Sequence, residues 1–410
     1  VFHGIRRFRH GSIVAARRSV YNSRRSSQTM TDTIAVFDVG KTNKKIMIFD
    51  GSLRLLDRRY RHFESRVVDG IELEPMEEVR EWLFATLREL SEKYTITSLA
   101  VTTHGASVVT LDDNGNPACP VVSYTHTPEE SFHDRFYAAV GSRTELQRQT
   151  ATAEIKPLVN PGKLLFFTRE TWPEKFQNVS RVVFLPQYFG YLLTGNIAAD
   201  YTYVGCHSYL WDFTRWDWSD VADELGIRTA LPTEPTRSWT TIGTVSDRVA
   251  EQTGLGTDVP VTAGIHDSNA SLLPYLLKKR GEDFLLNSTG TWCVAMNPGP
   301  RGEGMAAEFT EEEIGKTVFF NISAFGTPVK TSILMGGQEF ETYTDILKQI
   351  HRTDLLPDFN KSLYQRVLDR GAPAVSGPSR RVCRAESILG DSEQSSVGAG
   401  GHYPGDGDLH

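Results

Sequence analysis

From Thr33 onward, apolar and polar positions alternate in short runs, give way to helical spacing, and then alternate again. IAVFD, KKIMIFD and RLLDRRYRHFE each suit a half-buried strand, and DGSL between the second and third reads as a turn, so the three predict neighbouring strands of a meander. A helix follows. Between Pro75 and Tyr94, the residues Val79, Trp82, Leu83, Leu87 and Leu90 recur at spacings of three and four and share one face. ITSLAVTTHGAS then reads as a strand running into a polar turn, and ASVVTLDDNGNPACPVVSY as a hairpin around Asn114 and Gly115. The segment from Lys163 to Gly195 is mainly helical by its pattern, with Gly195 suited to a left-handed C-cap. Gly243 to Gly264 carries strand-like TIGTV and VPVTAGI around a short helix, and GEDFLLNSTGTWCVAMN opens a second β-rich unit. Strands alternating with helices after an opening meander predict an α/β domain with a mixed sheet.

The two ends differ from this middle. Residues 1–29 carry Arg6, Arg7, Arg9, Arg17, Arg18, Arg24 and Arg25 with no Lys, Asp or Glu, the composition of an organelle transit peptide. Met30 stands just before the first strand, so a gene-boundary artefact or a disordered tail is the competing explanation. From Gly371 the chain is rich in Gly, Ser and Pro and has neither period, which predicts a segment unable to bury enough apolar surface to offset its ordering entropy. A lost reading frame or splice site near Gly371 would account for it.

Charge narrows the chemistry. The formal net charge is -7 although the first 29 residues are strongly basic, so the body of the chain is more acidic still. An acidic body argues against nucleic acid or an anionic membrane surface as partner, and small-molecule chemistry becomes the default. No apolar run approaches the ~18 residues that span a bilayer. Cys119, Cys206, Cys293 and Cys383 are far apart, with no CxxC pair or zinc-ligand spacing, and read as reduced structural thiols.

Three constellations could carry chemistry. In AVFDVGKTNKKIMIF a buried strand ends in Asp38; Gly40 lets the backbone turn so that N–H groups and the Thr42 hydroxyl face an anion, with Lys41 and Lys45 beside it. Asp38 would sit where it can hold the water shell of Mg²⁺. In VTAGIHDSNASLLPYLL a strand delivers His266 and Asp267 to a turn, where a carboxylate can take a proton from an attacking hydroxyl; a plain helix cap is the alternative. In FLLNSTGTWCVAM, Ser288, Thr289, Gly290 and Thr291 link two strands and could donate to a polyphosphate, although the Walker-type spacing is absent.

Asp38-x-Gly40-x-Thr42, His104-Gly105, Gly264-x-His266-Asp267-x-x-Ala270-Ser271 and Ser288-Thr289-Gly290-Thr291, in this order, resemble the FGGY carbohydrate kinases over roughly residues 33–345. The resemblance implies an α/β, two-lobed actin-like ATPase (ribonuclease H-like) fold with an incomplete second lobe. Residues 33–278 would be the sugar-binding lobe and 279–370 a partial ATP-binding lobe, between a leader at 1–32 and a tail at 371–410. It further implies ATP and Mg²⁺ as cofactors and a sugar as substrate, with Asp267 as general base. Asp38, Gly40, Lys41, Thr42, Lys45 and Ser288 to Thr291 would hold phosphate and metal. The sugar would lie against His104, Gly105, Gln187, Tyr188, His266 and Asp267. The His-Asp pair is similar to that of rhamnulokinases and fuculokinases and THGAS to a xylulokinase motif, so the implied acceptor is a ketose of the L-rhamnulose, L-fuculose or xylulose type. A cytoplasmic enzyme is implied, with mitochondrial import if the leader is genuine, and a homodimer is left open.

Two departures stand out. Lys41 replaces the family's usual threonine, which puts an extra cation beside the phosphates. A glycine-rich adenosine-binding segment is not recognisable after Gly337, and a half-built lobe would expose apolar strands such as TVFFNISAF. A catalytically inactive sugar-binding or regulatory remnant is therefore the alternative function, and an actin-like ATPase without a sugar substrate is a weaker third.

Overall fold

The structure, a computed structural model, describes residues 32–289 and 292–352 and a few positions between 362 and 366. The expected leader (Asp32 apart) and tail lie outside the described residues. The meander forms as predicted. Strands β1 (Thr33–Val39), β2 (Asn43–Asp50) and β3 (Leu55–His62) pair antiparallel in sequence order. On the other side of β1 the strand Ile96–Thr103 runs parallel to it, then Pro260–Thr262 parallel again, then Thr241–Thr244 antiparallel at the edge. The result is the mixed sheet that the pattern predicts.

Alternation on β1 places Ala35, Phe37 and Val39 in the core. Phe37 meets Phe189 edge-on at 4.9 Å between ring centroids and lies 6.0 Å from Trp82, so two helices, Leu185–Thr194 and α1 (Met76–Ser91), close over this face. Helix α1 buries Val79, Leu83, Leu87 and Leu90, the stripe read from the sequence. Gly195 takes φ +78° and ends the Leu185–Thr194 helix as expected.

The strand pairing after the turn departs from the pattern for a physical reason. The turn at Asn114–Gly115 forms and closes a short hairpin, with a single antiparallel bridge between Leu111 and Pro117 and Ala118 N donating to Thr110 O at 2.8 Å, but the full ladder of strand Val108–Leu111 is with Arg181–Phe184. Pro117 and Pro120 lack backbone donors, so the arm after the turn cannot sustain a full ladder. The segment from Lys163 to Gly195 is mainly helical as expected, in helices Pro161–Thr171, Pro173–Phe176 and Leu185–Thr194, and between the last two it contributes RVVF as that partner strand.

The second sheet has four antiparallel strands in the order Leu286–Thr289, Cys293–Asn297, Pro328–Leu334 and Val318–Ile322. Its own core is small: Leu272 and Leu276, from helix Asp267–Lys278, pack with Met296 and Val329. The expected exposure of TVFFNISAF is not found, because Val318–Ile322 is buried at every position against the first body. Phe320 N donates to Ala151 O at 3.0 Å. The Gln147 amide donates to Val318 O at 3.1 Å and also reaches the carbonyls of Glu313 and Lys316, while Gly315 N donates to Gln147 Oε1 at 2.8 Å. Gly205 makes room for the strand, since a Cβ there would stand 2.3 Å from Ile322 Cγ1.

Candidate active site

A cavity of about 440 Å³ opens where the ends of β1, Ile96–Thr103 and Ile265–His266 meet the second sheet. Sequence-expected residues Asp38, Gly40, Lys41, Lys45, His104, Gly105, His266, Asp267, Ser288 and Thr289 all line it. Gly290 and Thr291 lie outside the described residues.

The turn between β1 and β2 is tight: Gly40 N donates to Asn43 O at 3.0 Å, and a Cβ on Gly40 would come within 2.9 Å of that oxygen. On β2 the alternation turns Lys44 inward with Ile46 and Ile48. Its Nζ donates to Gly40 O at 2.9 Å and Lys41 O at 2.6 Å, and burial pulls its pKa down to about 8. The reading from sequence missed this brace and named Lys45, which faces the cavity and pairs with Asp38 Oδ2 at 3.0 Å.

Four residues expected as ligands have other surroundings in the structure. The Lys41 ammonium is bonded to Glu74 Oε1 and Ser123 Oγ, each at 2.5 Å, and to Ser65 Oγ at 2.6 Å, with Glu72 Oε1 at 3.3 Å. Burial alone would favour a protonated Glu74, but Lys41, with help from His104 and Lys44, holds its pKa below the usual glutamate value. Lys41 is thus matched by carboxylates and is no spare counter-charge for phosphate. Thr42 is exposed outside the cavity lining, its carbonyl accepting from Phe63 N at 2.8 Å. Gln187 and Tyr188 do not line the cavity either. Gln187 is fully buried and donates to Ala263 O at 2.7 Å, and Tyr188 packs edge-on to Phe189 in the core. Their helix presents its buried face to the sheet, and Gln187 Oε1 has no partner among the described residues.

Asp267 starts helix Asp267–Lys278, and its Oδ1 accepts from Ser268 N at 2.6 Å and lies 3.2 Å from His266 Nε2. His266 is buried and its pKa is lowered to about 4, so the ring is neutral at neutral pH. Asn269 Nδ2 donates to His266 Nδ1 at 3.4 Å, which leaves the ring proton on Nε2, pointed at Asp267. Burial raises the Asp267 pKa, His104 opposes that shift and Asp38 adds to it. The side chain nonetheless keeps 43% of its surface open. A partly desolvated carboxylate held by a ring N–H and a helix N–H is equipped to accept a proton.

His104 donates from Nδ1 to Gly105 O at 2.9 Å, and burial lowers its pKa to about 4. Gly105 carries no Cβ because one would lie 2.9 Å from His266 Nε2. Next to it Ala106 takes φ +75°, and His207, also in the lining, takes φ +40°. Strained residues of this kind gather where a surrounding structure enforces a ligand wall. Deeper support comes from Asp200, fully buried, whose oxygens accept from Thr202, Tyr203 N and Ser238; Thr202 Oγ1 in turn accepts from His266 N at 3.1 Å. Tyr124, Cys206, His207, Trp292, Phe319 and Asn321 are also in the lining.

Among the described residues no group of three or more His, Cys, Asp or Glu side chains is placed to hold a metal ion. Mg²⁺ needs only one or two carboxylates when phosphates supply the rest. Asp38 fits that role, since it faces the cavity and its charge disfavours the ionised Asp267.

Comparison with known proteins gives the family. The model of the FGGY family of carbohydrate kinases, N-terminal domain, matches residues 33–274, and that of the carbohydrate kinase FGGY C-terminal domain matches 281–379. The chain belongs to the FGGY carbohydrate kinases. A rhamnulokinase of Yersinia pestis (strain Pestoides F) is 24% identical over 272 residues, covering 64% of this chain and 53% of that protein. This member of the family thus spans about half the length of the rhamnulokinases it matches. A carbohydrate kinase from Novosphingobium aromaticivorans superposes with a TM-score of 0.65 at 29% identity, over 77% of this chain and 65% of the other. Plasmodium falciparum glycerol kinase with ADP superposes at 0.65 with 16% identity, over 83% and 67%, which speaks for the fold alone. The α/β fold is that of these kinases, the two-lobed actin-like architecture expected from the motifs. Among the described residues no helix is long and apolar enough to cross a membrane.

Proposed function

We propose that this chain transfers the terminal phosphoryl group of ATP to a hydroxyl of a ketose, with Asp267 as the base. The observation that carries this reading is one cavity shared by a desolvated carboxylate, the Gly40 turn with Asp38, and the Ser288–Thr289 end of the second sheet. The likeness to a rhamnulokinase supports a ketose as acceptor, and the ADP of the glycerol kinase supports a nucleotide as donor. On this reading residues 33–278 would be the sugar-binding lobe and 279–370 a partial nucleotide-binding lobe of a cytoplasmic enzyme. Asp267 takes the hydroxyl proton as the oxygen forms its bond to phosphorus and the bond to the ADP oxygen breaks. Mg²⁺, when bound, would neutralise phosphoryl charge, and Asp38, which lines the cavity, would hold it. Gly40 brings backbone close to the phosphates, and Ser288 and Thr289 offer hydroxyl donors to them.

The test is ADP release by the chain with Mg-ATP and a panel of ketoses, aldoses and polyols. Asp267→Asn should lower sugar-dependent turnover by about 10²–10⁴-fold and leave sugar binding nearly intact. Undiminished turnover in that variant would refute the assignment; no release with any sugar would favour the inactive sugar-binding reading. Because the Asp267 pKa is raised, the acid limb of kcat/KM should fall at a pH above the ordinary aspartate value of 3.8.

A further inference from the structure

Strand Val318–Ile322 reads Val-Phe-Phe-Asn-Ile and is buried throughout. Its single polar side chain, Asn321, is 1% exposed, and neither its Oδ1 nor its Nδ2 has a partner among the described residues. Buried amides are almost always hydrogen-bonded, because an unpaired one forfeits its bonds to water without return. Leucine or valine would suit an apolar strand better, so a polar residue here needs a reason.

Its position supplies one. Phe319 and Asn321 are two residues apart and share a face of the strand, and both line the cavity that holds Asp267. His207 from the first lobe stands edge-on to Phe319 at 5.3 Å. Within its own strand Asn321 is the one polar residue, between Phe320 and Ile322, and it enters a cavity that also holds Asp267. An amide holds one donor and one acceptor side by side in a plane. Two hydroxyls on adjacent carbons, each able to donate and accept, match that pair.

We infer that Asn321 binds the acceptor sugar. Its Oδ1 accepts from one hydroxyl and its Nδ2 donates to the next, so the second lobe reads a vicinal diol while Asp267 serves the hydroxyl that is phosphorylated. This rests on the sugar-kinase reading of the cavity and adds to it a residue that sets acceptor specificity. Ser288 and Thr289 serve the phosphates, and Asn321 serves the sugar.

The experiment measures binding through tryptophan fluorescence, Trp292 lying in the same cavity. The full chain is titrated with ketoses, with their analogues lacking one hydroxyl of a diol, and separately with Mg-ATP. In the wild type at least one deoxy analogue should bind about 10–100-fold more weakly than its parent. In Asn321→Leu, which removes both polar atoms at similar volume, parent and analogue should bind alike while Mg-ATP affinity holds. Asn321→Asp, which keeps the shape and the acceptor, should lose part of the discrimination and guards against a folding defect in the leucine variant. Discrimination that persists in both variants overturns the inference, as does an equal loss of sugar and ATP binding, or a wild type that binds no ketose. Turnover by Asp267→Asn, read in parallel, tests the kinase reading separately, since it does not depend on which hydroxyls are recognised.

Discussion

The first body and the second sheet are held together in different ways. In the first, neighbouring stretches of sequence supply both layers: alternation on β1 and β2 fills one side, and α1 with its stripe of Val79, Leu83, Leu87 and Leu90 closes over it. The second sheet has only Leu272, Leu276, Met296 and Val329 as a fully buried cluster of its own. It is steadied through Val318–Ile322, whose burial depends on Gln147, Ala151 and Gly205 of the first body. A sheet with so few core residues is stable as a docked layer and has little to hold it alone.

The contrast can be broken most directly in the first core. Phe37→Ala should cost about 3–5 kcal/mol and lower both regions together in a denaturant titration, because the second sheet loses its support; loss of the first body alone would contradict the dependence. Asp200 comes next. Its folded pKa of about 6 lies above the ordinary 3.8, so the folded state keeps a proton that the unfolded chain releases. That contribution is fully present below about pH 3.8 and is lost as pH rises through 6. Asp200→Asn should flatten stability against pH in this window by up to about 3 kcal/mol. Gln147→Ala should cost roughly 1–3 kcal/mol and expose the second sheet to proteolysis before the first. Equal protection of the two regions would sink the comparison. The smallest effect is expected on helix Gly336–His351, where Leu347 is 53% exposed. Leu347→Lys should stay within about 0.5 kcal/mol by thermal melting.

The sequence carried the first region well because its strands alternate cleanly and its helix keeps strict spacing. It carried pairing less well. Nothing local shows that Val108–Leu111 pairs with Arg181–Phe184, and two prolines are the only warning that the nearer arm will not serve. In the site, Asp38, His104, His266 and Asp267 were legible because each ends a strand or opens a helix. Lys41 was misread because Glu72, Glu74 and Ser123 meet it only after folding. Lys44 looked like any surface lysine, although the period of two already placed it with Ile46 and Ile48. Asn321 sits in an apolar run whose edge packing could not be foreseen, so its missing partners became visible only in three dimensions.

Helix Asp267–Lys278 starts beside His266, which is pinned to strand Ile96–Thr103, and reaches the second core through Leu272 and Leu276. In mechanical terms it is a strut between the two sheets, with Val318–Ile322 as the second tie. Proline at 274 removes one internal hydrogen bond from the rod. Its Asp267 end stays beside the first sheet while Leu272 and Leu276 sit in the second core, so a single rod bears on both sheets and ties the carboxylate to each.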